Sequence, residues 1–197
     1  MEQKMVKELL LQSLEHERGG VKIYETALKC VVNEDLKEEW EKYLEETEHH
    51  VEILQNVFSQ MQLDPEEQTP GRKITRDKGA ALVAAMESAL GGGDKELAQC
   101  VACESVTMAE LVDHSNWELI GEVSKKMTGA DGKALKEAYK EVEEQEDEHY
   151  YHTKGWCREL WIAALGLPAV LPPPEEQKDV KTAIGAARAK MSRKAMS

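Results

Sequence analysis

An all-α fold is the expectation for this 197-residue chain, and three observations carry it. The composition leans on Glu, Lys, Ala and Leu, which lose little side-chain freedom in a helix. There is one Phe, and β-branched residues rarely run together, so little of the chain suits a pleated sheet. Apolar residues recur three and four apart through four long segments. This length fits one well-cored domain and is short for two.

Segment 3–32 puts Leu10, Leu14, Val21, Tyr24, Leu28 and Val31 on one stripe, with Glu17 filling the stripe position between Leu14 and Val21. Asn33 is the expected cap between this helix and the next. The second helix carries Leu36, Trp40 and Tyr43, meets Glu46 and the paired histidines His49 and His50, and resumes with Ile53 and Val57. Residues 62–79, with Pro65, Pro70 and Gly71, show no helical period and read as a crossover. About 16 extended residues at about 3.3 Å each span a bundle about 40 Å tall. A short Ala-rich helix then ends at Gly91–Gly93, and Asp94 caps a long helix reaching about Met127. After a turn at 128–132 comes the cleanest stripe: Leu135, Tyr139, Val142, Glu146, His149, Thr153, Trp156 and Leu160.

These elements predict a four-helix bundle over 1–165 with one long crossover, followed by a Pro-rich extension and a basic tail helix over 166–197. In that tail Val180, Ile184, Ala187 and Met191 share one face and Lys181, Arg188, Lys190, Arg193 and Lys194 another, which suits docking on the same chain or a neighbouring subunit.

A formal charge of −13 excludes a duplex-binding surface, because displacing counterions from phosphate needs a positive field. No apolar run reaches membrane-spanning length, and the first segment meets acids too early for a signal peptide. A soluble cytoplasmic protein with no nucleic-acid or membrane partner is expected. One Cys-x-x-Cys, Cys100 with Cys103, is too little for a zinc ribbon or rubredoxin centre and reads as two small buried residues.

The chemistry lies in a repeat. Glu-x-Glu-His occurs at 46–49 and again at 146–149, placing Glu46 with His49 and Glu146 with His149 on shared helix faces. With Glu17, and one acid from the long helix before the 128–132 turn, each of four helices offers an inward carboxylate and two add a His one turn on. That is the donor set of a carboxylate-bridged di-iron or di-manganese site. Carboxylates offset the repulsion between two close dications, and neutral imidazoles complete the coordination.

The acid from the helix starting after Asp94 has two candidates on different stripes. Glu104 lies with Leu97, Val101, Met108 and Leu111, whereas Glu110 lies with Val106, Asp113, Trp117 and Ile120. Six residues correspond to about 9 Å of rise, so only one reaches the site. Distance from the 128–132 turn matches Glu110 with Glu146. Tyr24 follows Glu17 by seven residues, as Trp117 follows Glu110. Glu110 is therefore the expected ligand and Glu104 the alternative.

The segments "EHERGGVKIYE", "EETEHH", "AELVDHSNWE" and "EQEDEHYYH", within residues 5–160, resemble the ferritin-like superfamily, in particular bacterioferritin and rubrerythrin. The resemblance implies that Glu17, Glu46, His49, Glu110, Glu146 and His149 bind two iron ions and that Tyr24 supports a ligand from behind. Asp113 stands where rubrerythrin has a longer extra acid. Thr47 replaces the bacterioferritin haem-binding Met, so no haem is expected, and no rubredoxin segment is present.

The implied activity is oxidation of ferrous iron by oxygen or hydrogen peroxide, as a ferroxidase or peroxidase-type oxidoreductase in iron handling or oxidative-stress defence. The alternatives are a di-iron oxygenase on an organic substrate and a non-catalytic, metal-stabilised assembly protein. Manganese and zinc also suit these donors. A homo-oligomer, most simply a dimer, is the expected assembly.

Overall fold

The computed structural model describes residues 2–167, which form five helices and no strand. The tail helix expected over 178–197 lies outside the described residues. The helices are α1 (Gln3–Cys30), α2 (Glu34–Gln60), α3 (Pro70–Gly91), α4 (Lys95–Lys126) and α5 (Gly129–Ala164). Asn33 caps α2 by accepting from the Leu36 amide, and Asp94 caps α4 by accepting from the Leu97 amide, both at 3.0 Å. The Gln99 side chain accepts from the amides of Val32 and Asn33, tying the α1–α2 turn to α4 and satisfying two donors that neither helix can.

The region read as an extended crossover is largely helical. Only residues 61–69 connect α2 to α3, because Thr-Pro-Gly-Arg at 69–72 is a helix start: Thr69 accepts from the Arg72 amide, and Pro70 occupies a first-turn position where no N–H is needed. A proline read as a breaker acts here as an initiator. α3 packs against α1 and α4.

Its first turn is anchored by Arg72, which is 1% exposed. Arg72 donates to Glu15 Oε2 at 2.6 Å and to the carbonyls of Pro65 and Glu67, while Arg76 donates to Glu15 Oε1 at 2.6 Å. Burial pulls the Glu15 carboxyl upward, but the two guanidinium groups overcome this and hold it at about 2. Arg72→Met strips a buried acid and two carbonyls of their main donor. A loss of about 3 kcal/mol is expected, lowering the melting temperature by about 10 °C. The contribution of Glu15 is present above its unfolded value of 4.5 and is lost as pH falls toward 2, so calorimetry should find the deficit shrinking over that interval.

Helix α1 neighbours α2 and α4, and α5 neighbours the same two. The contacts fix the directions. Tyr24 reaches Glu110 and Trp117 reaches Glu17, so α1 and α4 are antiparallel; Glu39 meets Trp156 and His49 meets Glu141, so α2 and α5 are too. The short turns make α1 antiparallel to α2, and α4 to α5.

The interior holds two apolar clusters. One contains Ile23, Tyr24, Trp40, Tyr43, Cys103, Val106 and Trp156; the other contains Leu10, Leu14, Leu54, Phe58, Trp117, Leu135 and Val142. Between the two, at the same level on four helices, lies a layer of buried charge.

Candidate metal centre

Six ionisable side chains meet in that layer: Glu17 from α1, His50 from α2, Glu110 and Asp113 from α4, and Glu146 and His149 from α5. None is more than 4% exposed. Candidate ligand atoms of Glu17, His50 and Glu146 all lie within 4.8 Å of one another, as do those of Glu110, Glu146 and His149. Glu146 belongs to both groups.

Four of the six side chains turn one atom outward to a partner. Trp117 Nε1 donates to Glu17 Oε1 at 2.7 Å, and the Tyr24 hydroxyl donates to Glu110 Oε1 at 2.8 Å. His50 Nε2 sits 2.9 Å from Gln145 Oε1, and His149 Nε2 sits 2.9 Å from Glu46 Oε2. Gln145 Nε2 in turn donates to Glu46 Oε1 at 3.1 Å, so one chain of hydrogen bonds joins the two imidazoles from behind.

The inward atoms are different. Glu17 Oε2, His50 Nδ1, Glu110 Oε2, Asp113 Oδ1, both oxygens of Glu146 and His149 Nδ1 have no hydrogen-bond partner among the described residues. His50 Nδ1 lies 3.1 Å from Glu146 Oε1 and 3.5 Å from Glu17 Oε1, ion-pair distances without hydrogen-bond alignment. A buried polar atom left unpaired costs about 1–3 kcal/mol, so seven facing one small volume need a common partner.

Burial pushes the carboxyls of Glu110 and Glu146 up to about 7, with neighbouring acids adding to the rise and the imidazoles opposing it. Asp113 is raised well above the usual range by burial and by Glu17. Glu17 goes down despite its burial because His50 and Trp117 favour its anion, and His50 goes up despite its burial because Glu17 and Glu146 favour its cation. In the absence of a metal, protons serve as the layer's countercharge.

Of the residues singled out from sequence, Glu17, Glu110, Glu146 and His149 fall in this layer, and Tyr24 donates to Glu110 from behind. Asp113 stands in the cluster itself. Glu104 is exposed on the outer face of α4. His49 is the correction: its side chain is half exposed and engages Glu141 and Glu52, while His50 points inward.

The physical reason is register. The central buried stripe of α2 runs Leu36, Trp40, Tyr43, Thr47, His50, Leu54 and Val57, alternating four and three apart, with Glu39, Ile53 and Phe58 buried at its flanks. At the level of the layer Thr47 and His50 hold the stripe, and Glu46 and His49 are each one residue off it. Glu46 consequently lies at the edge, 17% exposed at its side chain, and holds His149 from outside.

The repeat that matters is Thr47-x-x-His50 against Glu146-x-x-His149. Glu17 and Tyr24 correspond to Glu110 and Trp117, each aromatic bonding the other half's acid; Glu46 and Gln145 correspond likewise. The symmetry breaks where acids are concerned. Thr47 stands opposite Glu146 in the repeat, and Gly20 stands opposite Asp113. A Cβ on Gly20 would come within 3.2 Å of Thr47 Cγ2, so the small pair occupies the space that two acids fill in the other half.

Sequence reasoning missed one buried network beside the layer. Glu39 accepts from the Tyr43 hydroxyl at 2.6 Å and from Trp156 Nε1 at 2.9 Å, with His152 Nδ1 also at 2.9 Å. The Tyr43 ring lies 4.2 Å from that of His149, centroid to centroid. The four-residue spacing of Glu39 and Tyr43 and the three-residue spacing of His149 and His152 were the available signals. The cysteines are free; Cys30, Cys100 and Cys103 are buried, and burial raises the pKa of each thiol, so none is activated.

No family model, curated protein or solved structure matches this chain. No helix among the described residues is long and apolar enough to cross a membrane.

Proposed function

We propose that the chain is a ferritin-like di-metal carboxylate protein whose buried layer binds two divalent cations, iron first, and oxidises ferrous iron with oxygen or peroxide. In this reading α1, α2, α4 and α5 form the four-helix bundle and α3 travels along the crossover. One observation carries it: seven inward polar atoms lack hydrogen-bond partners among the described residues, while Glu17, Glu110, His50 and His149 are each held in place from behind by their other atom.

The donor chemistry fits. Glu17, His50 and Glu146 would hold one cation and Glu110, Glu146 and His149 the other, with Glu146 shared and Asp113 aimed into the same volume. Four carboxylates balance the charge of two dications, and two neutral imidazoles add nitrogen donors without adding charge. Iron so bound supplies one-electron chemistry toward oxygen or peroxide.

The chain's own contribution is positional. Trp117 and Tyr24 lock one oxygen each of Glu17 and Glu110, which leaves only the inward oxygen free. The Gln145–Glu46 pair accepts the Nε2 protons of both imidazoles, directing Nδ1 of each toward the layer. The apolar clusters on either side exclude water from the layer, while Glu46 and Lys42 at its edge keep contact with solvent.

The test pairs elemental analysis with anaerobic ferrous loading and exposure to air. Wild type should hold two irons per chain and accelerate oxidation; His50→Ala should lose at least one iron, and His49→Ala should keep both. Equal metal loss in the two histidine variants, or none bound by wild type, would sink the reading.

A further inference from the structure

We infer that the outward face of α4 is a two-fold interface with a second copy of this chain, packed antiparallel. α4 is apolar on two sides. Its inner side carries Ala98, Ala102, Val106, Ala109, Trp117 and Ile120 into the interior. Its outer side presents Leu97, Met108, Leu111, Val112 and Leu119, which are 43–59% exposed, with half-buried Val101 among them. At 100° per residue these six lie within one stripe about 33 Å long, interrupted only by Glu104 and Ser115. Scattered apolar residues on a surface need no explanation, but a continuous seam at three- and four-residue spacing does. Among the described residues nothing covers it.

The stripe is complementary to itself in one register. Laid antiparallel about the level of Glu110, Met108 meets Val112 of the second copy, Val101 meets Leu119, and Leu97 meets Val123. The two polar interruptions are accommodated: Ser115 is satisfied by donating to the Leu111 carbonyl, and Glu104 falls opposite the Ser115–Asn116 pair, where the Asn116 amide can donate to it. At both ends exposed Asp94 falls opposite exposed Lys126, so the seam closes with an opposite-charge pair at each end; Glu122, which lies on the same face beyond Leu119, is paired with Lys125 of its own helix. Parallel packing would instead stack Glu104 on Glu104 and Lys126 on Lys126.

A receiving surface is present as well. A groove of about 510 Å³ beside the end of the stripe is lined by Ser115, Glu118, Leu119, Glu122, Lys125 and Tyr139, and this register brings Val101 and Leu97 of the second copy beside its apolar members, Leu119 and Tyr139. Tyr139 can lie across α4 there because position 121 is Gly; a Cβ would stand 2.8 Å from its ring. The interface lies on the face of α4 opposite the buried acids, so it does not depend on metal binding.

Sedimentation equilibrium of the full chain from 1 to 100 µM tests the proposal. The expected species has twice the 22.1 kDa chain mass. Met108→Glu should raise its dissociation constant at least a hundredfold without altering helix content, since Met108 is 59% exposed in the single chain. Lys126→Glu should weaken association several-fold, and Asp94→Asn added to it, which keeps the helix cap, should recover most of the loss. Leu111→Cys, close to the axis, should cross-link on oxidation; Leu97→Cys, about 39 Å from its own copy in this register, should not.

A single-chain mass throughout, as residues 168–197 folded over the face would give, overturns the proposal. So does association unaffected by Met108→Glu, or cross-linking through Leu97→Cys as fast as through Leu111→Cys.

Discussion

Glu146→Gln is expected to abolish binding of both metal ions while leaving the metal-free protein as stable as wild type or more so. Glu146 is the one side chain common to both candidate ligand groups, and neither of its oxygens has a hydrogen-bond partner among the described residues, although His50 Nδ1 lies at ion-pair distance from Oε1. Its amide analogue cannot supply two anionic oxygens to two cations, so affinity should fall at both positions together. In the metal-free protein the same carboxylate is a burden: it is fully buried, and Glu17 adds unfavourably to the burial that raises it. His50 loses one of two acids but keeps Glu17.

Neutralising a costly buried acid at constant shape is therefore neutral or stabilising, by up to a few kcal/mol. Glu104→Gln, on the outer face of α4, should alter neither property. Elemental analysis and thermal melts with and without chelator read both halves. A Glu146→Gln protein that melts well below wild type in chelator would mean that the acid serves structure rather than metal, since the layer would then be held together by its own ion pairs.

Opposite signs in the two forms would mark a binding site built at the expense of the empty fold. The residues of the layer were not all equally legible in the sequence. Where a stripe has large apolar residues above and below a polar one, as with Leu14 before Glu17 and Val142 before Glu146, the inward direction can be counted from either side, and the acid falls into place. Helix α2 offered a competing cue. The literal repetition of Glu-x-Glu-His drew attention to His49, although counting from Trp40 and Tyr43 leads to Thr47 and His50.

A repeat of function need not be a repeat of letters once the two halves diverge, and here the divergence sits at Thr47 and Gly20. The α3 start was misread for a related reason, since Pro70 both ends one kind of structure and begins another, and only the buried partners of Arg72 decide which. For the Glu39, Tyr43, His152 and Trp156 network, spacing within each helix marks the residues of each half, but nothing in the sequence joins the halves, which lie over a hundred positions apart.

If the layer binds metal as proposed, protons and metal compete for it, so stability should respond to pH in opposite directions with and without metal. Folding raises Glu110 and Glu146 from an ordinary 4.5 to about 7, and Asp113 and His50 move upward as well. A group raised in the folded state contributes stability that is complete below its unfolded value and vanishes as pH climbs through its folded value. For each of the two glutamates that is on the order of 3 kcal/mol between pH 4.5 and 7, less than additive because the groups share protons. Glu17 in the layer and half-buried His16 beside it move downward and contribute in the other sense, two against four.

The chelated protein should therefore melt highest near pH 5 and lose stability steadily toward pH 8. Metal must displace those protons, so its affinity rises over the same interval. With free metal a hundredfold above the dissociation constant, each site adds about 2.7 kcal/mol. Two sites then raise the melting temperature by about 15 °C at pH 8. Near pH 5 the addition should be small. Calorimetric titration at pH 6 in buffers of different ionisation enthalpy should count two or more protons released per pair of metals. A metal-dependent rise in melting temperature that is the same at pH 5 and pH 8, with no proton release, would place the cation outside this layer, at acids already ionised at pH 5.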